Sequence, residues 1–395
     1  MSDPICIWKR RFELFDEGDW ETLRDDALEW QRRAHPVDRP ATATATTSPA
    51  KRARRLAAGS NPRRTLELHP ANLLKALKTA ARGSAQGPTG WRYEHLRAIH
   101  DATSHVPLTK LVDDIVQSNI PDHVRPILGS ARLIGLEKTD DDGSLTGGVR
   151  PIAIGEVLRR WVTRAICFLH RERFGEALSP HQYAVGVSSG AEKCIAAIRT
   201  FLGSGAADEK RVVLSLDAKN AFSTISRQAI LEGVNDLFPE LTDFFLQWYG
   251  ASSDLWFAHY DGTVRTIAST QGTQQGDSGG PVWYVCGLHA VLRRLQAALP
   301  DCLVCAFADN VYIGRTEGRV EEAFRAAKTE MGSVDQILVD HKCVMWGEHF
   351  RPGMQRPASV PAEVALGEEG ILVLGVPLGT DAFIAKHFAA IQRKT

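Results

Sequence analysis

Apolar positions recur at helical spacing along much of the chain. Ile5 to Ala34 mixes apolar and charged residues in this way and carries Trp8, Trp20 and Trp30. After Arg150-Pro151, one stripe holds Val157, Leu158, Trp161, Val162, Ala165, Ile166 and Leu169, which predicts an amphipathic helix. Ser226 is placed to cap a second helix with Ile230, Val234, Leu237 and Phe238 on its apolar face. Pro281, following two glycines, suits the first turn of a helix running through Leu295. Thr316 is expected to open another, bearing Val320, Ala323, Phe324, Ala327 and Met331 and closed by Gly332. Short β-rich runs lie between these stretches. Val212 to Asp217 predicts a strand with Val212, Leu214 and Leu216 toward the core and Val213, Ser215 and Asp217 on the other side. Leu303 to Ala308 and Val311 to Ile313 predict a hairpin, and Ile371 to Leu378 is an apolar run broken by Gly375 and Pro377. Hairpin strands with helices between them imply an α+β fold, a sheet covered by helices on one face.

Composition breaks this pattern in one place. From Pro36 to Arg64 the chain is mostly Ala, Thr, Pro, Ser and Arg, too poor in apolar surface to offset its ordering entropy. It reads as a flexible linker. Gln31 to Arg64 holds nine basic residues (Arg32, Arg33, Arg39, Lys51, Arg52, Arg54, Arg55, Arg63, Arg64) against Asp38 alone. Such a segment suits a phosphate-binding arm, a nuclear-import signal or a merely solvated linker. Over the whole chain the 47 basic residues balance the 47 acidic ones, which counts against a general nucleic-acid binder. No stretch approaches the roughly 20 apolar residues of a membrane helix, so no membrane association is expected. Seven scattered cysteines fit a reducing compartment, and an intracellular, nuclear or cytoplasmic location is expected.

Three segments carry candidate chemistry. Asp217 closes a predicted strand and is followed by Ala218, Lys219, Asn220, Ala221 and Phe222. An acid there is held rigidly at a sheet edge, as a metal ligand must be, though a helix cap or turn uses aspartate equally well. Asp309-Asn310 lies in the predicted hairpin turn, where both residue types are ordinary. Together, two strand-end carboxylates are the minimum for clamping paired divalent ions in phosphoryl transfer. Between them in the chain runs the glycine-rich Gln271-Gly272-Thr273-Gln274-Gln275-Gly276-Asp277-Ser278-Gly279-Gly280-Pro281, whose backbone is able to approach a ligand closely.

In this order the segments resemble the reverse transcriptases, above all those of non-long-terminal-repeat retrotransposons. The resemblance runs from about Gly87 to Gly379. Gly87-Pro88-Thr89-Gly90-Trp91 resembles the family's opening segment. Ala131 through Lys138 and Arg150-Pro151-Ile152 resemble its fingers motifs. Asp217 through Phe222 is similar to motif A, Gln271 through Pro281 to motif B, and Phe307 through Asn310 to motif C. His341-Lys342-Cys343 is similar to motif D, and Leu374 through Gly379 to motif E, the primer grip.

The resemblance implies a right-hand polymerase: fingers and an antiparallel palm sheet with helices on one face. No thumb is expected, since the chain stops at Thr395 near where one would begin. The implied division is 1–35, a helical extension; 36–65, the basic linker; 66–205, fingers with part of the palm; 206–350, the palm; and 351–395, the primer-grip region. Asp217 and Asp309 would hold two Mg²⁺ ions, with Mn²⁺ as substitute, beside the backbone carbonyl of Ala218. Phe222 would exclude a 2′-hydroxyl. Gln275 and Gly276 would line the nucleotide and template pocket, Lys138 and Arg150 would grip the triphosphate, and Lys342 would protonate the leaving pyrophosphate. The implied partners are an RNA template, a DNA primer and deoxynucleoside triphosphates. No residue pattern specifies an oligomeric state.

Two departures bear on activity. Motif C usually ends in two aspartates, and here the second is Asn310. Motif B reads Ser278-Gly279-Gly280 where Pro-Leu-Gly is usual. Two functions are therefore carried forward: a polymerase core weakened by Asn310, and a polymerase-like fragment without catalysis that serves as an RNA-binding or scaffold module. Cys302 and Cys305 have the spacing of a zinc half-site but fall on opposite strand faces, so they read as buried small hydrophobes. His341 and His349 match no zinc pattern.

Overall fold

The strand ending at Leu216 becomes the centre of a five-stranded sheet in the computed structural model. That model describes residues 66–103, 108–139, 145–206, 208–258 and 263–392. The N-terminal extension with its tryptophans and the basic linker lie outside the described residues. The chain divides into two compact units, each discontinuous in sequence: Met1–Leu136, Val149–His170 and Val234–Gly280 in the first, Glu137–Gly148, Arg171–Gly233 and Pro281–Thr395 in the second.

The first unit is built on the helix Val157–Leu169, whose apolar stripe is buried from Val157 through Ile166 as its periodicity predicts, while Leu169 at its last position is exposed. The Trp161 ring N–H donates to the Leu73 carbonyl at 2.9 Å, tying this helix to the helix Pro70–Lys78. A four-stranded sheet has the order β2-β1-β4-β5, with β1 Ala131–Thr139, β2 Leu145–Gly155, β4 Ser253–Ala258 and β5 Val264–Ser269. β1 and β4 run parallel, and β4 and β5 antiparallel. The Gly87–Trp91 segment is anchored where β2 ends. Buried Glu156 accepts from the Thr89 N–H at 2.6 Å and from its hydroxyl at 2.5 Å.

In the second unit the sheet order is β6-β7-β3-β8-β9: β3 Arg211–Leu216, β6 Leu303–Phe307, β7 Asn310–Thr316, β8 Val344–Trp346 and β9 Ala365–Leu366. Neighbours are antiparallel except β8 and β9. The helix Gly190–Gly203 packs on β6, β7 and β3, and the helix Val320–Gly332 on β7. The run from Ile371 forms a hairpin, β10 Gly370–Val373 with β11 Val376–Gly379, whose turn is Leu374-Gly375. Pro377 is accommodated in this two-stranded ribbon, which has no further strand for it to obstruct.

Two local expectations change. Val213 is as fully buried as Val212 and Leu214, because a central strand is shielded on both faces. The alternation reappears only at the strand exit, with Ser215 half-buried, Leu216 buried and Asp217 exposed. Thr316 ends β7 rather than opening a helix. A turn of 3₁₀ helix, Glu317–Arg319, intervenes and the α-helix starts at Val320.

Candidate nucleotidyl-transfer site

β3 and β7 are paired over six residues, from Arg211 opposite Thr316 to Leu216 opposite Val311. The pairing stops there: Asp217 is the first residue after β3, and Asp309 lies in the turn just before β7 begins at Asn310. Both acids therefore stand at the same end of this pair of strands, the end at which two carboxylates would meet divalent ions. Asp217 and Asn310 are exposed and Asp309 half-buried. The Phe307–Asn310 pair closes the β6–β7 hairpin, leaving Ala308 and Asp309 as its two-residue tip.

A further segment fixes the backbone at Asp217. Ala218 forms an antiparallel bridge with Leu338, in which the Val339 N–H donates to the Asp217 carbonyl at 2.8 Å and the Lys219 N–H to Ile337 at 2.9 Å. In a bridge bonded through its flanking residues, the central peptide groups point away from the partner. The Ala218 carbonyl is thereby turned away from the Leu338 segment. The same segment leads into the 3₁₀ turn Asp340–Lys342, which places Lys342 exposed three residues beyond Val339.

Phe222 is half-buried and packs against Tyr284, ring centroids 4.6 Å apart. The Tyr284 hydroxyl donates to Gln336 at 3.0 Å, and the Gln336 amide donates to the Ala221 carbonyl and to the Thr224 hydroxyl, both at 3.1 Å. Burial raises the Tyr284 hydroxyl above its ordinary range, and the Asp309 charge adds to this. Behind β7, the Leu374 N–H donates to Tyr312 Oη at 3.3 Å, joining the β10–β11 hairpin to the strand that follows Asn310. Burial, above all, pushes Tyr312 up to about 12.

The glycine-rich loop belongs to the first unit, with Arg150 on β2. The Ala153 N–H donates to the Gln275 carbonyl at 2.7 Å. Gly276 has φ +131°, and a Cβ there would stand 2.4 Å from the Ala153 oxygen, so only glycine fits. The loop is held from beneath. Arg159, 1% exposed, donates to Asp277 at 2.7 Å and to Gln274 Oε1 at 3.2 Å, and the Tyr249 hydroxyl donates to Asp277 at 2.6 Å. Burial opposes charge on Arg159, but the Asp277 carboxylate holds its pKa above the ordinary value. Gln275 is left half-buried and Gly276 exposed.

The predicted residues thus fall in two groups. Asp217, Ala218, Phe222, Asp309, Asn310 and Lys342 gather on connected segments of the second unit, and Arg150, Gln275 and Gly276 on paired segments of the first. Lys138 lies on β1, where only its backbone is described. Gln182, Gln336, Tyr284, Arg159 and Asp277 were not singled out by sequence and all buttress these segments. Cys302 sits under Arg315, which donates to its Sγ at 2.6 Å, and Cys305 faces Cys194, sulfurs 4.0 Å apart. His349 is paired with Glu317 at 2.5 Å. Among the described residues no group of three or more His, Cys, Asp or Glu side chains is gathered for a metal, and no helix is long and apolar enough to cross a membrane. Two carboxylates with carbonyl oxygens beside them form a hard donor set suited to Mg²⁺, which commonly takes one or two protein carboxylates and completes its shell with water and phosphate.

Taken each by itself, the antiparallel sheet with its acidic hairpin tip and the mixed sheet with its glycine-rich loop are those of a reverse transcriptase palm and fingers. The chain belongs to the reverse transcriptase family: residues 136–378 match the family model described as reverse transcriptase (RNA-dependent DNA polymerase). It is similar to the retrotransposable element SLACS 132 kDa protein of Trypanosoma brucei gambiense, with 28% identity over 235 residues, 59% of this chain and 19% of that protein. The chain therefore spans about a fifth of that relative's length. Solved structures similar to it include telomerase from Candida albicans in complex with a TWJ fragment of telomeric RNA, with TM-score 0.44 and 11% identity over 67% of this chain and 46% of that one. Apo telomerase from Candida tropicalis truncated from its C-terminal domain gives 0.43 and 11%, over 65% and 55%.

Proposed function

We propose that this chain is the RNA-directed DNA polymerase core of a retrotransposon, extending a DNA primer along an RNA template with deoxynucleoside triphosphates. The observation that carries the reading is the pairing of β3 and β7, which leaves Asp217 just past the end of β3 and Asp309 just before the start of β7, at one end of the sheet. These two carboxylates and the Ala218 carbonyl would hold the Mg²⁺ ions. Held there, the ions would supply charge neutralisation for the phosphates and for the attacking and leaving oxygens. The primer 3′-oxygen forms a bond to the α-phosphorus as the bond to the β-phosphate oxygen breaks. The hydroxyl proton leaves to solvent, and Lys342 gives a proton to the departing pyrophosphate. Arg150 and Lys138 serve the triphosphate, Gln275 and Gly276 the base pair. Phe222, backed by Tyr284, crowds the sugar C2′ and rejects ribonucleotides.

A second reading, an RNA-binding or scaffold module without catalysis, is favoured by one observation, Asn310 in place of a second motif C acid. Primer extension on an RNA template, in Mg²⁺ and separately in Mn²⁺, separates the two. Extension that falls at least about a hundredfold in Asp217→Ala, with the variant still folded, is the expected result. Equal activity in that variant, or no extension in either metal by folded wild type, overturns the polymerase reading.

A further inference from the structure

Ala308 carries Asp309 on the hairpin tip in a conformation that alanine disfavours. Its φ is +55°, in the left-handed region where a Cβ crowds the backbone. Its methyl group makes no bond that could hold this shape. Both of its backbone polar groups instead end on one side chain. Gln182, 2% exposed, accepts the Ala308 N–H on Oε1 at 2.8 Å and donates from Nε2 to the Ala308 carbonyl at 3.3 Å. Two further backbone donors, the N–H groups of Tyr183 at 3.2 Å and Ala184 at 3.1 Å, converge on Oε1 and fix which end of the amide is oxygen.

Gln182 is itself immobilised. It forms a parallel bridge with Ala306, the Tyr183 N–H donates to the Ala306 carbonyl at 2.8 Å, and the Ala306 N–H donates to His181 at 2.7 Å. The neighbouring His181 ring meets the Val304 carbonyl at 2.9 Å. A buried, two-point contact on a residue in a disfavoured conformation is the geometry of a clamp, and the residue released from it next in the chain is Asp309.

We infer that Gln182 is a positioning residue for polymerisation: its amide holds Ala308 in the left-handed region and thereby sets where the Asp309 carboxylate meets metal. This rests on the polymerase reading above. The chemistry requires an acceptor and a donor on one side chain of this length. Glutamate keeps the acceptor but sets a carboxylate oxygen against the Ala308 carbonyl, and alanine leaves the tip free to relax.

The test is single-nucleotide incorporation by the full chain at varied Mg²⁺ and deoxynucleotide, for wild type, Gln182→Ala, Gln182→Glu and the double variant Gln182→Ala with Ala308→Gly. Gln182→Ala is expected to lower kcat about 10- to 100-fold and raise the half-saturating Mg²⁺ concentration, with the deoxynucleotide KM moving less than about threefold. Adding Ala308→Gly should restore kcat about fivefold or more, because glycine enters the left-handed region without help. A merely structural glutamine would not be rescued at a residue it only touches. Unchanged kcat in Gln182→Ala, or a loss that Ala308→Gly does not relieve, overturns the inference. Should Gln182→Ala fail to fold, Gln182→Glu carries the same test, an intermediate loss supporting the clamp and wild-type kcat overturning it. If wild type and Asp217→Ala are equally inactive, the polymerase reading has failed instead. The clamp is then judged by a crystal structure of the Gln182 variant that folds: Ala308 leaving positive φ supports it, and Ala308 staying at positive φ overturns it.

Discussion

Asn310 decides how much negative charge stands at the tip of the β6–β7 hairpin. Its side chain is exposed and its amide donates to the Phe307 carbonyl across the turn at a long 3.4 Å. Asn310→Asp would exchange that contact for a carboxylate facing a carbonyl oxygen, a cost of about 0.5–1.5 kcal/mol of stability at an exposed site. In return it adds a full charge beside Asp309, where the proposed function puts the cations. The expected outcome is a slightly less stable protein with a lower half-saturating Mg²⁺ concentration and faster extension, checked by titrating metal against the rate for both proteins. A variant that gains nothing at any metal concentration favours the module without catalysis.

At the scale of elements, the glycine-rich loop is held by an ion pair rather than by apolar packing. Arg159 and Asp277 are both nearly inaccessible, and removing one charge strands the other in a medium that cannot solvate it. Asp277→Asn is therefore expected to cost about 3–5 kcal/mol in denaturant unfolding, against about 1 kcal/mol for Tyr249→Phe, which removes one bond to the same carboxylate. A loss below about 1 kcal/mol in Asp277→Asn would show that the pair does not hold the loop. Elements built from local pattern were legible in the sequence: the helix Val157–Leu169, the strand before Asp217, the hairpin around Asp309, and the order of the acids about the glycines. What supports them was not. Gln182 meets Ala308 across 126 positions, Arg159 meets Asp277 across 118, and Gln336 meets Ala221 across 115. Such partners leave no periodic trace, and a buried glutamine or arginine looks in sequence like any surface one. Asp277 alone had a signal, lying directly after Gln275-Gly276, yet it reads as loop chemistry until its arginine is seen. Val213 escaped for a related reason, because alternation records burial on one face only and a central strand is covered on two.

For the whole molecule the charge balance is the governing constraint. A chain whose 47 basic and 47 acidic residues cancel has no net field to draw it to a polyanion, so affinity for RNA must come from local concentrations of charge. The densest in sequence is Gln31 to Arg64. If that segment contacts template phosphates, binding releases counterions, and the logarithm of affinity falls with the logarithm of salt by about 0.7 for each single-strand phosphate neutralised. Replacing Lys51, Arg52, Arg54 and Arg55 by glutamine should then reduce the slope by about 3 and weaken binding most at low salt. The measurement is a fluorescence-anisotropy titration of a single-stranded RNA at several salt concentrations. Asp217→Ala should leave the slope unchanged, because in the proposed function that carboxylate serves the metals and not the template backbone. An unaltered slope in the glutamine variant would mean these four side chains are solvated linker charges. The template would then have to be held by the folded units through scattered cations such as Arg150, with correspondingly weak dependence on salt.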